Sequence, residues 1–246
     1  MLKALREKNK NADVVYFGDI KNIPYGNSSK KEIEQLTIAG LKMLKTNGAT
    51  HIINACNSMS AYLLLSTLRI LDIDPDSITE MIGPTVLDMK NKEGIKDADI
   101  ALIATKVTVE SGGYQEGFAM IGKYIKTYAS EDLVRVIEQG SAPEAVETVV
   151  RELLGRVKRG GCDKLILGCT HYPIVRNVFE KAMADIGMGS VELIDPAYFV
   201  ADQFLKQYDL SGEGKTRFLL SKDSRFFRDT VNRLGLDKNS TIEVMS

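Results

Sequence analysis

The sequence predicts an α/β protein built as two pseudo-symmetric parallel-sheet domains. Three observations carry this prediction. Short apolar runs alternate with helix-period stretches, part of that pattern returns 113 residues later, and in both copies the strand ends in a cysteine. Alternation of this kind argues for parallel strands joined by helical crossovers.

The strand candidates are DVVYFG (13–18), HIINA (51–55), DIALIA (99–104), KLILG (164–168) and VELID (191–195). The helix candidates at roughly 29–46 and 142–159 are each stopped by a glycine, Gly48 and Gly161. A shift of 113 places Cys56 on Cys169 and Gly48 on Gly161. It places Ile33, Leu36, Leu41 and Leu44 on Val146, Val149, Leu154 and Val157. Each half therefore reads helix, glycine, short strand, small residue, cysteine, polar residue. The expected division is 1–82 plus 196–246 for one domain and 83–195 for the other. Open α/β sheets bind ligands beyond the C-terminal ends of their strands, where both cysteines fall.

One unit of the repeat is unmatched. In the second half, strand 99–104 runs into TKVTVESGG (105–113) and a helical stretch from about Tyr114. Their counterparts fall ahead of residue 1, and Met1–Lys8 becomes the helix that follows them. The chain is thus expected to begin one β-unit late.

Composition narrows the class. With 44% hydrophobic and 26% charged residues and a net charge of −1, the chain has an ordinary globular make-up and no basic surplus for nucleic acid. No apolar stretch reaches the roughly 20 residues of a membrane span, and the N-terminus lacks a signal-peptide core. Three cysteines do not make a disulfide framework, so a reduced, cytoplasmic protein is expected. No cysteine or histidine pair has zinc-ligand spacing, so no metal is expected.

A free cysteine is ordinarily a small buried apolar residue. Cys162, in the turn RGGCDK, is assigned that role. Cys56 and Cys169 differ, being followed at once by Asn57 and Ser58, and by Thr170 and His171. A redox pair would call for C-x-x-C spacing, which is absent. The other reading is two-base proton transfer. A thiolate takes the α-proton of an amino acid from one face and a thiol returns one to the other.

These residues resemble the glutamate racemases of the aspartate/glutamate racemase superfamily. The matching stretches are VVYFGD (14–19), PYGNSS (24–29), NACNSMSA (54–61), TKVTVESGGY (105–114), VIEQG (136–140) and LGCTHYP (167–173). The resemblance implies two α/β domains with the active site in the cleft between them, and cofactor-independent interconversion of L- and D-glutamate, with D-glutamate going to peptidoglycan. It implies Cys56 as the base toward the D-enantiomer and Cys169 toward the L-enantiomer, with Glu138 and His171 beside the second cysteine. Tyr25, Gly26, Asn57, Ser58, Thr105, Thr108, Thr170 and His171 are implied substrate contacts. A homodimer is left open.

The chain departs from the family's pattern in places. The family opens with a strand and an Asp-Ser-Gly-x-Gly-Gly loop that has no counterpart in this sequence, which leads to an expectation of weak racemisation or none, and of lower stability than with that segment restored. Ser58 stands where threonine is usual and Met59 where a small residue is usual. Rival readings are a racemase for aspartate or another acidic amino acid, and an inactive relative that binds a ligand or partner. A pyridoxal-phosphate enzyme has no distinctive lysine motif behind it. Outside the resemblance, PYGNSS reads as a turn before a helix cap, SGG (111–113) as a turn or an anion cradle, Glu138 as an exposed helix-end carboxylate, and His51 as structural.

Overall fold

In the computed structural model, which describes residues 1–245, the chain opens with helix α1 (Leu2–Lys8) and strand β1 (Val14–Gly18). A 3₁₀ turn at Tyr25–Asn27 leads to α2 (Lys30–Thr46), β2 (Ile52–Ile53), α3 (Asn57–Ser60), α4 (Leu65–Ile70), β3 (Ile78–Thr79) and α5 (Ile82–Asn91). Then come β4 (Ile100–Ala104), α6 (Lys106–Glu110), α7 (Gly113–Met120), β5 (Ile125–Ala129), α8 (Leu133–Glu138), α9 (Pro143–Gly160) and β6 (Lys164–Gly168). The remainder is α10 (Arg176–Asp185), β7 (Glu192–Ile194), α11 (Pro196–Gln207), β8 (Thr216–Leu220), α12 (Arg225–Arg233) and β9 (Ser240–Val244).

The second half forms one parallel sheet in the order β5-β4-β6-β7. Strand side chains alternate between faces, so each face has its own core. Ala101, Ile103, Leu165 and Leu167 pack toward α8, α9 and α10, while Ile100, Leu102, Ala104 and Ile166 pack toward α5 and α7. Helix α9 turns Val146, Val150, Leu153, Leu154 and Val157 to the first of these faces, which is the stripe expected of a helix lying on a sheet. Proline at its first turn and Gly161, with φ +68°, bound it. Gly168, just before Cys169, is held by space: a Cβ there would sit 2.6 Å from Leu102 Cδ1.

The 113-residue repeat is present in the elements themselves. Shifted by that amount, α1, α2, β2 and β3 overlap α7, α9, β6 and β7. The N-terminal segment is helical as the repeat requires, with α1 spanning Leu2–Lys8 and Met1 as its cap. Strand β4 has no counterpart in the first half among the described residues, and the first-half strands are divided. β1-β8-β9 form one parallel sheet, and β2-β3 form another. Among the described residues, β1 pairs only with β8 and β2 only with β3. A cavity of about 930 Å³ reaches between them, lined there by Val15, Phe17, Leu41, Ile52 and Ile53. The run at 13–18 folds as β1, and Val14–Phe17 are only half-buried, because this cavity opens beside them. HIINA likewise shortens to a two-residue strand with one free edge.

Helix α11 packs against both α1 and α5 and so ties the halves together, with Ala4 against Ala197 and Ala201. No helix among the described residues is long and apolar enough to cross a membrane.

Candidate active site

Both repeat cysteines line the cavity, and Cys162 does not. Cys56 leaves β2 and caps α3, so its sulfur sits at a helix start. Burial pushes the Cys56 thiol up to about 11, against the pull of the Met59 and Ser58 N–H groups; charge on Cys169 adds to the rise. Cys169 follows β6 at the equivalent place and is buried.

The side chains beside Cys56 form two small networks. Asn57 is buried, and its Oδ1 accepts from the Tyr114 hydroxyl at 2.7 Å. Its Nδ2 has no protein partner among the described residues, so it can donate to a ligand. Ser58, Thr105 and Thr108 close a triangle of hydroxyls: Ser58 lies 3.0 Å from Thr105 and 3.3 Å from Thr108, and the threonines are 3.0 Å apart. This triangle joins α3 of the first half to the start of α6 in the second. Gly26 lies against it, since a Cβ there would meet Thr105 Cβ at 3.1 Å.

On the other side, His171 Nδ1 lies 3.9 Å from Cys169 Sγ, and its Nε2 bonds to the Glu138 carboxylate. Burial alone would lower the His171 imidazolium, but its bonds to Cys169 and Glu138 outweigh that and push it up to about 10. A protonated imidazole there is placed to hold negative charge on the Cys169 sulfur. Because its folded pKa lies above the ordinary 6.5, this group contributes stability that is complete below that pH and lost as the pH rises through about 10. Glu138→Gln is therefore expected to drop the His171 titration by more than about one unit. The stability loss should be greatest below pH 6.5 and fade toward about 10. Histidine NMR reads the first effect, since the chain has two histidines and the other, His51, packs against the Tyr208 ring. An unmoved His171 midpoint would remove Glu138 as its partner.

Tyr25, Gly26, Cys56, Asn57, Ser58, Thr105, Glu138, Cys169, Thr170 and His171 all line the cavity. Thr108 does not: it is fully buried behind Ser58 and Thr105 and supports their hydroxyls instead of facing a ligand. Glu138 is not an exposed helix end, since its side chain is 18% exposed and paired. Met59 is on the cavity wall, and the SGG turn is not; Gly112, with φ +74°, simply starts α7. Sequence reasoning missed Tyr114, which supports Asn57, and Asp19, which supports Tyr25. Tyr114 closes TKVTVESGGY and Asp19 closes VVYFGD, so the positions were in view, but their partners were not.

Two thiols at the ends of equivalent strands, on one cavity walled with hydroxyl and amide groups, can exchange protons with two faces of a small polar molecule. The chain belongs to the Asp/Glu/Hydantoin racemase family, whose model matches residues 1–203. Among its relatives, a glutamate racemase of Thermoanaerobacter sp. (strain X514) is 33% identical over 244 residues, covering 95% of this chain and 88% of the relative. A glutamate racemase of Aquifex aeolicus is 33% identical over 188 residues, covering 76% and 72%. The crystal structure of glutamate racemase from Francisella tularensis in complex with D-glutamate superposes with a TM-score of 0.81 at 27% identity, covering 100% of this chain and 92% of that one. An aspartate racemase from Picrophilus torridus, with a TM-score of 0.52 and 17% identity, shares the fold alone.

Proposed function

We propose that this chain is an isomerase that interconverts L- and D-glutamate by two-base proton transfer between Cys56 and Cys169. The observation that carries the reading is the pair of repeat-related cysteines on one cavity. In the L-to-D direction the Cys169 thiolate, beside the His171 imidazolium, takes the α-proton. The Cys56 thiol, held protonated by burial, gives a proton to the opposite face. The reverse direction begins from the opposite protonation of the two sulfurs. Asn57 Nδ2, Ser58, Thr105 and Thr170 are the donors available for the substrate carboxylates and for the charge that develops when the α-proton leaves. The cleft divides residues 1–82 plus 196–246 from 83–195. The setting is cytoplasmic, and the product D-glutamate serves peptidoglycan.

The test is α-proton exchange in deuterated water, followed by proton NMR, with circular dichroism for inversion. L- and D-glutamate are each expected to lose the α-proton signal, faster than aspartate. Faster exchange with aspartate would reassign the substrate. Absence of exchange with either amino acid would leave an inactive relative.

A further inference from the structure

The Asp19 carboxylate sits at the end of β1 and lines the cavity, and the proton transfer itself gives it no task. Its Oδ1 accepts from Asn22 Nδ2 at 2.9 Å and from Ser221 Oγ at 2.8 Å. Its Oδ2 accepts from Asn22 Nδ2 and from the Tyr25 hydroxyl, each at 2.8 Å. Three side chains thus converge on one carboxylate. Ser221 comes from just past β8, some 200 residues along the chain, and is itself fixed: its backbone N–H donates to Gly18 at 3.0 Å and its Oγ accepts from the Lys21 N–H at 2.9 Å. Tyr25 carries the same turn whose Gly26 rests on Thr105.

We propose that Asp19 is a positioning residue: clamped by Ser221, it sets the Tyr25–Gly26 wall against Thr105 and so determines how tightly the cleft holds glutamate. This rests on the racemase reading of the same site. An acceptor-only group is needed because the Asn22 amide can only donate from its nitrogen and the Ser221 hydroxyl already accepts from Lys21. Burial and the Asp19 bond hold the Tyr25 phenol well above its ordinary range, so it remains a donor. A path Ser221–Asp19–Tyr25–Gly26–Thr105 thus links the C-terminal segment to a second-half residue of the cleft.

Asp19→Ala is expected to raise KM for glutamate about ten-fold, with kcat within about two-fold, since neither thiol is touched. Ser221→Ala, outside the substrate's reach, should raise KM by a smaller factor, about three-fold. A merely structural role would lower the melting temperature and leave the KM of the folded fraction unmoved. Asp19→Ala combined with Tyr25→Phe should raise KM no further than the more severe single change, because both act on one contact. Independent effects would multiply. The closing measurement does not need turnover: the Tyr25 ring signal, assigned in tyrosine-labelled protein by its loss in Tyr25→Phe, should shift in both Asp19→Asn and Ser221→Ala. A constant Tyr25 signal, or an unchanged KM in folded Asp19→Ala, overturns the proposal. Loss of all turnover in the unaltered chain overturns the racemase reading instead.

Discussion

Cys169→Ala is expected to stop inversion of glutamate in both directions and to leave one half-reaction. With Cys169 gone, no group remains on its face of the α-carbon, so a proton removed by Cys56 can return only to the side it left. D-glutamate should still exchange its α-proton with solvent, and L-glutamate should not. Cys56→Ala should show the mirror pattern. Each loss should amount to about 10²–10⁴-fold, the usual worth of a positioned proton-transfer group. The fold should survive, because thiol to alanine is a small truncation and no disulfide is lost: all three cysteines are free. Circular dichroism follows inversion, and NMR in deuterated water follows exchange. Exchange of both enantiomers in either variant would mean that a third group serves as a base.

The second large effect concerns the divided first-half strands. In the second half, β4 is buried along its whole length and pairs on both sides, with β5 and with β6. The equivalent place between β1 and β2 is cavity. A chain extended ahead of Met1 by a copy of residues 100–112, the strand and connection that precede α7, would present an aliphatic strand to both free edges. Burial of its aliphatic side chains favours docking of the added strand and offsets the entropy of ordering it. The ladder bonds add a modest net gain. A net stabilisation of about 2–3 kcal/mol is expected, and in a chain of this size that raises the melting temperature by about 5–10 °C. The control is an extension of equal length with glycine and serine in the strand positions. If both extensions melt alike, the cavity does not accept a strand. Turnover should rise with stability, since Cys56 and Asn57 lie at the end of β2.

Much of this arrangement was legible in the sequence because it depends on local pattern. KLILG is apolar at every second position and beyond, and it folds as β6 with those bounds. Helices α2 and α9 begin and end within a residue of the expected bounds, because a serine cap with Glu32, a first-turn proline and the glycines Gly48 and Gly161 mark them. What stayed hidden depends on distant partners. Strands β8 and β9 complete the β1 sheet from more than 190 residues away, and no spacing announces that pairing. Glu138 reads as a surface carboxylate until the fold brings His171 to it from 33 positions further along. The resemblance implies Thr108, three positions after Thr105, as a cleft residue. One helical turn carries it behind the wall. The role of Asp19 requires Ser221, which shares no local pattern with it.

The two cysteines stand on unequal footings. Cys169 ends a strand gripped along both flanks, whereas Cys56 ends a two-residue strand with a neighbour on one flank only. Opening a strand locally costs less where fewer bonds and contacts hold it. Amides at 52–59 should accordingly exchange with solvent faster than those at 164–169, and glutamate should narrow that difference. The second half is then the anvil of the cleft and the first its compliant jaw. Closing the jaw on a substrate draws on binding energy to order it, which weakens ground-state affinity while leaving the rigid face, with its His171–Glu138 pair, already set for proton removal.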